Sequence, residues 1–114
     1  YAIFDSLIIC RFMRDIVPWE KLPRIMKALT GADLTEAQLR EIGNRIITQA
    51  RLFNVREGIT AADDTLPRRF FEQPLPKGGS QGKTVNTERF KEMVREYYSL
   101  RGWNAEGNPK TMGP

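Results

Sequence analysis

The sequence predicts an all-α, multihelical domain with a Pro/Gly-rich loop before its last helix. Three observations lead to this fold class. Apolar residues recur at helical spacing in successive segments. Residues that cap helices stand at the ends of these segments. Hydrophobic residues make up 40% of the 114 residues, which is enough for a core in a chain the size of one ordinary domain.

The first predicted helix covers residues 2–15. Its apolar residues are too many for a narrow surface stripe, so we expect much of this helix to be buried. They are Phe4, Leu7, Ile8, Ile9 and Phe12. Pro18 ends this element, because a proline disfavours helical geometry in the residue before it. Alternatively, Asp5 is an N-cap and the helix begins at Ser6.

A second, shorter helix is predicted over residues 19–29. Its core face has helical spacing and consists of Leu22, Ile25, Met26 and Leu29. Gly31 follows, and glycine suits the left-handed position just after a helix.

The central helix is predicted over residues 35–57. Thr35 and Gln38 have the spacing of a capping box, in which each side chain binds the other residue's backbone amide. Gly43 lies inside this helix and indicates that another helix approaches it closely. Gly58 ends the helix.

The C-terminal half combines a loop with one more helix. Residues 73–86 hold two Pro and three Gly, which is typical of a loop. Asn86 or Thr87 caps the last helix, and Gly102 stops it after Arg101. We expect Trp103 to fold back onto the helix end. The inner stripe of this helix is predicted to be Phe90, Met93, Val94 and Tyr97.

These elements divide the chain into four parts. They are a helical core of residues 1–58, a loop-rich arm of residues 59–86, the last helix at residues 87–103 and a frayed tail of residues 104–114.

Composition excludes several classes of function. The chain has no His, which removes the commonest general base and the commonest metal ligand. The net charge is +4, but bases and acids alternate without a block of like charge, so we expect no nucleic-acid partner. No apolar run approaches a membrane span. The single cysteine excludes an internal disulfide and favours a cytoplasmic setting.

Cys10 and Asp5 are the residues that could take part in chemistry. Cys10 follows three aliphatic residues, and is either a small core residue, a ligand to a metal or cluster, or a redox thiol whose thiolate Arg11 favours. Asp5 on its own is an N-cap or a solvated acid. On a continuous helix the two residues would differ by a rise of about 7.5 Å along the axis and a rotation of about 140° around it, so they could touch two adjacent groups.

Two other charged pairs have both structural and binding interpretations. Asp63 and Asp64 could hold a cation, but their position favours the capped start of a helix. Arg68 and Arg69 could hold a phosphate, but surface ion pairs are the simpler interpretation.

The sequence contains several unusual strings, which are Arg51-Leu-Phe-Asn-Val-Arg-Glu-Gly58, Asp63-Asp-Thr-Leu-Pro67-Arg-Arg-Phe-Phe-Glu72, Pro74-Leu-Pro76, Tyr97-Tyr98 and Leu100-Arg-Gly-Trp103. Together these strings resemble the carboxy-terminal helical region of the tungsten-dependent aldehyde:ferredoxin oxidoreductase family, from Asp5 to about Gly107. The resemblance implies that residues 1–114 are a fragment of a C-terminal helical domain.

The resemblance also implies an activity, cofactors and partners. Family members oxidise aldehydes to carboxylic acids, and carry a tungsten or molybdenum bis-pterin cofactor and a 4Fe–4S cluster that passes electrons to ferredoxin. The partners implied are ferredoxin, the aldehyde and the upstream domains of the same polypeptide, and a homodimer is compatible with the sequence. The isolated fragment should hold no cofactor and be inactive.

The family motif Asp-x-x-Gly-Leu-Cys matches Asp5-Ser-Leu-Ile-Ile-Cys10. The resemblance therefore implies that Cys10 is a cluster ligand and that Asp5 binds a pterin. Ile8 replaces the motif glycine, and a β-branched residue resists the positive φ that glycine allows. The alternatives are a cofactor-free helical assembly module, in which Ile8 has closed the site, and a basic helical nucleic-acid binder.

Overall fold

The computed structural model describes residues 1–10, 12–13 and 16–110, and helices account for its regular structure. They are α1 (Ala2–Ser6), α2 (Leu22–Thr30), α3 (Glu36–Arg56), α4 (Arg69–Glu72) and α5 (Thr87–Leu100). The described residues contain no β-strand, although an isolated antiparallel bridge pairs Trp103 with Pro109. The all-α prediction is therefore confirmed.

The chain divides into two compact units, Tyr1–Arg51 and Leu52–Pro114. The division falls inside α3, whereas the sequence placed the end of the helical core at Gly58.

The core of the first unit is built from three helices. Its buried side chains are Ile3, Phe4, Leu22 and Leu39. Around them pack Leu7, Ile9, Val17, Trp19, Met26, Leu34, Ile42 and Ile46. Two of the four buried side chains come from α1, which has only five residues. A helix this short is not stable by itself, so α1 depends on this packing.

The first helix is much shorter than predicted. It ends at Ser6 rather than at residue 15, because Ile8 adopts φ +57° and turns the chain out of the helix. Ile8 and Phe12, which we expected to be buried, are 94% and 84% exposed. The Asp5 alternative is wrong as well, since Asp5 lies inside α1 rather than before it. Arg11, Arg14 and Asp15, in the remainder of the predicted helix, lie outside the described residues.

The second predicted helix is present, but its core face is narrower than expected. A 3-10 turn at Trp19–Lys21 leads into α2, and Gly31 follows with φ +75°. Leu22 is fully buried, whereas Leu29 at the other end is 75% exposed. The core face of α2 therefore ends one turn before Leu29.

The central helix begins with the predicted capping box. The amide of Thr35 donates to Oε1 of Gln38 at 2.8 Å, and the amide of Gln38 donates to Oγ1 of Thr35 at 3.2 Å. The close approach at Gly43 is also present, because a β-carbon there would lie 3.5 Å from Cγ1 of Ile3. This is an ordinary van der Waals distance, so α1 contacts α3 here without a steric need for glycine.

The second unit holds the loop-rich segment and α5. Residues 73–86 form a loop closed by backbone hydrogen bonds, including those from Gly82 to Leu75 and from Val85 to Phe70. The carboxamide of Asn86 caps α5 by accepting from the amide of Arg89 at 2.8 Å. Phe71 packs edge-on against Phe90 with ring centroids 5.6 Å apart. These contacts tie the loop segment to α5.

The buried face of α5 differs from the predicted stripe. Tyr98 is the buried residue, and Phe90 and Val94 are half-buried, while Met93 and Tyr97 are exposed. The inner face of α5 therefore consists of residues 90, 94 and 98, which are spaced four residues apart. The apolar pattern does not distinguish Tyr97 from Tyr98, because either of the two adjacent tyrosines continues it.

Trp103 folds back onto the end of α5, as predicted. Its ring lies 5.7 Å from that of Tyr97 and 6.0 Å from that of Tyr98. Residues 104–110 form a hydrogen-bonded turn where we expected a frayed tail, because the Asn104 carboxamide accepts from the amides of Glu106 and Asn108. Residues 111–114 lie outside the described residues.

Candidate functional site

The two residues singled out by the sequence lie on either side of the turn that ends α1. Asp5 is the second-last residue of the helix and is exposed. Cys10 is a free, exposed cysteine four residues after the helix ends. The continuous helix that would have separated them by a fixed rise and rotation does not exist. The turn at Leu7, Ile8 and Ile9 sets their relation instead.

This turn is a Schellman motif, a helix ending held by two nested backbone hydrogen bonds. The amide of Ile9 donates to the carbonyl of Phe4 at 2.9 Å, and the amide of Ile8 donates to the carbonyl of Asp5 at 3.1 Å. Ile9 packs against the core cluster that contains Phe4, which is the hydrophobic contact that accompanies such an ending. The turn is therefore fixed by hydrogen bonds and by packing.

Ile8 occupies the left-handed position of this turn, where glycine is the usual residue. Its φ is +57°, and among the described residues no other residue apart from glycine has a positive φ. A left-handed conformation costs an L-residue about 1–2 kcal/mol, and a β-branched residue is a true outlier there. We expected Ile8 to resist a positive φ, and it adopts one with strain, because the two hydrogen bonds and the packing of Ile9 hold the turn.

The exposed fraction of the side chains alternates along the turn. Ile8 is exposed, Ile9 packs on the core and Cys10 is exposed. A backbone that anchors Ile9 inward therefore presents the Ile8 side chain and the Cys10 thiol outward. Cys10 is not the small core residue that its aliphatic neighbours suggested.

The described residues hold no group of three or more His, Cys, Asp and Glu side chains that could bind a metal ion. What the turn offers is one accessible thiol, and thiolates are the usual ligands of iron–sulfur clusters. The donor chemistry fits a cluster ligand. A complete site would need further donors from other residues. Arg11, proposed to favour the thiolate, lies outside the described residues.

The other acidic pair serves the structure. The carboxylate of Asp63 accepts from the amide of Thr60 at 2.8 Å and completes a capping box with it. The carboxylate of Asp64 accepts from the hydroxyl of Tyr98. Asp63 therefore lies at the capped start of a helical turn, as expected, whereas Asp64 is the C-cap residue of that turn. Arg68 forms an ion pair with Glu72 at 2.8 Å, in agreement with the surface ion pair that we expected.

The second unit also contains an open groove of about 610 Å³. Its apolar lining consists of Leu66, Phe71, Phe90, Val94 and Tyr98, together with alanines. Neither Asp5 nor Cys10 lines this groove. It is a feature of the α5 packing rather than part of the candidate site.

None of the helices in the described ranges combines the length and the apolar character of a membrane span.

Comparison with protein families gives a match over almost the whole chain. The profile described as "Aldehyde ferredoxin oxidoreductase, domains 2 & 3" matches residues 1–112. Among curated proteins, the tungsten-containing aldehyde ferredoxin oxidoreductase of Pyrococcus furiosus is 41% identical over 93% of this chain. The protein of the same name from Thermococcus kodakarensis is 37% identical over 93% of this chain. Each match covers 17% of the relative's own length.

Two further relatives have other names. The aliphatic sulfonate oxidoreductase, WOR-like subunit, of Pyrococcus furiosus is 38% identical over 96% of this chain and 18% of its own length. Among solved structures, the active-site complex BamBC of benzoyl coenzyme A reductase, in complex with 1,5-dienoyl-CoA, has a TM-score of 0.76. The match has 25% identity and covers 96% of this chain and 16% of that chain. The all-α fold is thus shared with a solved enzyme structure.

Proposed function

This chain belongs to the aldehyde ferredoxin oxidoreductase family, and we propose that Cys10 supplies one thiolate to a 4Fe–4S cluster. We further propose that Asp5 binds a pterin and that the turn between them forms part of the pterin cavity wall. The chain spans about 17% of the length of the curated relatives that it matches. The remaining cluster ligands would come from upstream domains of the same polypeptide.

The observation that carries this proposal is the accessible Cys10 thiol at the end of a turn fixed by hydrogen bonds. A Cys-ligated cluster usually takes four thiolates, and this chain has one cysteine. Exposure of the thiol supports a contact with a group outside the described core. The turn also favours this role over a cofactor-free assembly module, because Ile8 keeps the left-handed backbone that glycine would give.

Asp5 supports the pterin role by its position. Its backbone carbonyl accepts from the amide of Ile8 within the turn, so the residue is held at the helix end. Its side chain is exposed and is a strong hydrogen-bond acceptor when ionised. A pterin ring carries N–H donors that such a carboxylate could bind.

In the whole protein, we propose oxidation of an aldehyde to a carboxylic acid, with ferredoxin as the electron acceptor, in the cytoplasm. The tungsten or molybdenum bis-pterin cofactor would supply the oxidation chemistry when bound. The role of this chain is to hold ligands in place, and it should have no activity when isolated. Other relatives are named for an aliphatic sulfonate or for benzoyl coenzyme A. Membership of the family therefore does not fix the substrate, and the aldehyde is part of the proposal.

The test is Cys10→Ala in the tungstopterin holoenzyme that contains this sequence. We expect the EPR signal of the reduced 4Fe–4S cluster to be lost, because one ligand is missing. Asp5→Asn should keep this signal and lower the bound tungsten, measured by elemental analysis.

Ser6→Ala is the matched control, since Ser6 is exposed on the same helix and its hydroxyl donates to the carbonyl of Ala2. It should leave the signal and the metal content unchanged. An undiminished cluster signal in Cys10→Ala would refute the ligand assignment.

A further inference from the structure

Within the part of the chain that the structure describes, three helices end with the same pair of backbone hydrogen bonds. At α3 the amides of Gly58 and Ile59 donate to the carbonyls of Val55 and Asn54. At α5 the amides of Gly102 and Trp103 donate to the carbonyls of Ser99 and Tyr98. The left-handed residue is glycine in both cases, with φ +93° and +68°. The end of α1 is the exception, because the same position is occupied by Ile8.

Burial in the first unit does not explain this exception. The Ile8 side chain is 94% exposed, while its neighbour Ile9 makes the contact with the core. The position therefore combines a strained backbone with an apolar side chain that faces away from the core. Strained residues are retained where the surroundings require them, and they cluster at ligand and active sites.

Ile8 lies two residues from Cys10, which places their α-carbons within roughly 7 Å of each other. Both side chains are exposed, on either side of the inward-facing Ile9. A β-branched side chain is also stiff at χ1, so its methyl groups hold a defined place. The turn therefore exposes an apolar side chain and the thiol two residues apart.

We propose that Ile8 is a positioning residue that, once a cluster is bound to Cys10, covers part of the contact between thiolate and cluster against water and lowers the reduction potential of the cluster. The inference rests on the proposed function of Cys10 as a cluster ligand. Reduction adds a negative charge to the cluster, and exclusion of water disfavours the more highly charged state. Removal of the Ile8 side chain should therefore make reduction easier.

A glycine substitution tests the effect of the Ile8 side chain separately from the effect of the backbone conformation. Because glycine adopts a left-handed conformation without strain, Ile8→Gly keeps the turn and removes only the apolar group. Ile8→Asn provides a second variant, because Asn tolerates the left-handed conformation and brings a polar group instead. Leu29→Ala is the control for loss of an exposed aliphatic side chain elsewhere.

The experiment is a redox titration of the holoenzyme, followed by the EPR signal of the reduced cluster. We expect Ile8→Gly and Ile8→Asn to retain the full signal and to shift the midpoint potential to more positive values. Leu29→Ala should keep the wild-type potential. The thermal stability of Ile8→Gly should equal or exceed that of the wild type, since strain is relieved.

An unchanged potential with an intact signal would overturn the shielding role while leaving Cys10 as a ligand. Loss of the cluster in Ile8→Gly would also overturn it, because the backbone turn is preserved in that variant. Lower stability with an unchanged potential would show that Ile8 packs against another part of the protein. Failure of the ligand assignment is a separate result, seen as a cluster signal that survives Cys10→Ala.

Discussion

The first and last helices, α1 and α5, end in the same way but are held by different means. Helix α5 has 14 residues, a side-chain cap from Asn86 and glycine at its left-handed end position, Gly102. Helix α1 has five residues, no side-chain cap at its start and the strained Ile8 at its end. Local sequence therefore favours α5 at both ends and disfavours α1 at both ends.

The burial of side chains favours α1 over α5, which is the reverse of what the local sequence favours. Helix α1 places two of its five side chains in the core, with Ile3 and Phe4 only 6% and 5% exposed. Helix α5 buries Tyr98 and leaves most of its surface to solvent, where i,i+3 ion pairs such as Arg89–Glu92 lie. The difference shows that packing holds α1 in place, whereas local signals define α5.

The largest expected effect follows from the dependence of α1 on packing. Phe4→Ala should lower the free energy of unfolding by about 3–5 kcal/mol, because a buried aromatic side chain is removed and a cavity remains. Urea unfolding measures the change. Phe12→Ala is the matched control, since Phe12 is exposed and its loss should cost less than about 0.5 kcal/mol. Equal losses for the two variants would contradict the role assigned to packing.

A smaller effect is expected at the end of α5. Gly102→Ala should cost about 1–2 kcal/mol, because a residue with a β-carbon is strained at φ +68°. No heavy atom beyond its chain neighbours lies within 4 Å of the added carbon, so the loss reports the backbone alone. Gly79→Ala is the control, since Gly79 lacks a positive φ and its surroundings are equally open. Thermal unfolding in which both variants match the wild type would show that the left-handed position carries no cost.

The smallest effect concerns the start of α5. Asn86→Ala should cost about 1 kcal/mol, because the amide of Arg89 loses its side-chain acceptor. Asn86→Ser should restore most of this stability, since serine also caps helices. Chemical denaturation compares the three proteins. Equal stability of the alanine variant and the wild type would mean that the cap does not define α5.

The same contrast explains which elements could be predicted. The bounds of α3 and α5 agree with the sequence to within a residue or so, because capping residues and glycines mark their ends. The end of α1 could not be predicted, since Ile8 carries no local signal for a left-handed turn. The buried face of α5 was misplaced by one residue, because both Tyr97 and Tyr98 fit an apolar pattern.

The candidate site was located from the sequence but its geometry was not. Asp5 and Cys10 were identified by their chemistry and by their position in a motif shared with a family. The turn between them, and the outward direction of the Ile8 side chain, came only from the structure. Ile8 in place of the motif glycine suggested a changed backbone. In the structure Ile8 has the left-handed backbone that glycine would adopt, and the difference from glycine is the exposed side chain two residues before Cys10.

The sequence alone determined the helical class, the long capped helices, the family resemblance and the single thiol. These features depend on local spacing, capping chemistry and composition, which are properties of neighbouring residues. Only the tertiary structure decided that α1 stops at Ser6, that Ile8 is left-handed and that Cys10 is exposed. The physical reason is that Ile3, Phe4 and Ile9 are held by residues distant in sequence, and this packing outweighs the local preference of Ile8 for another conformation.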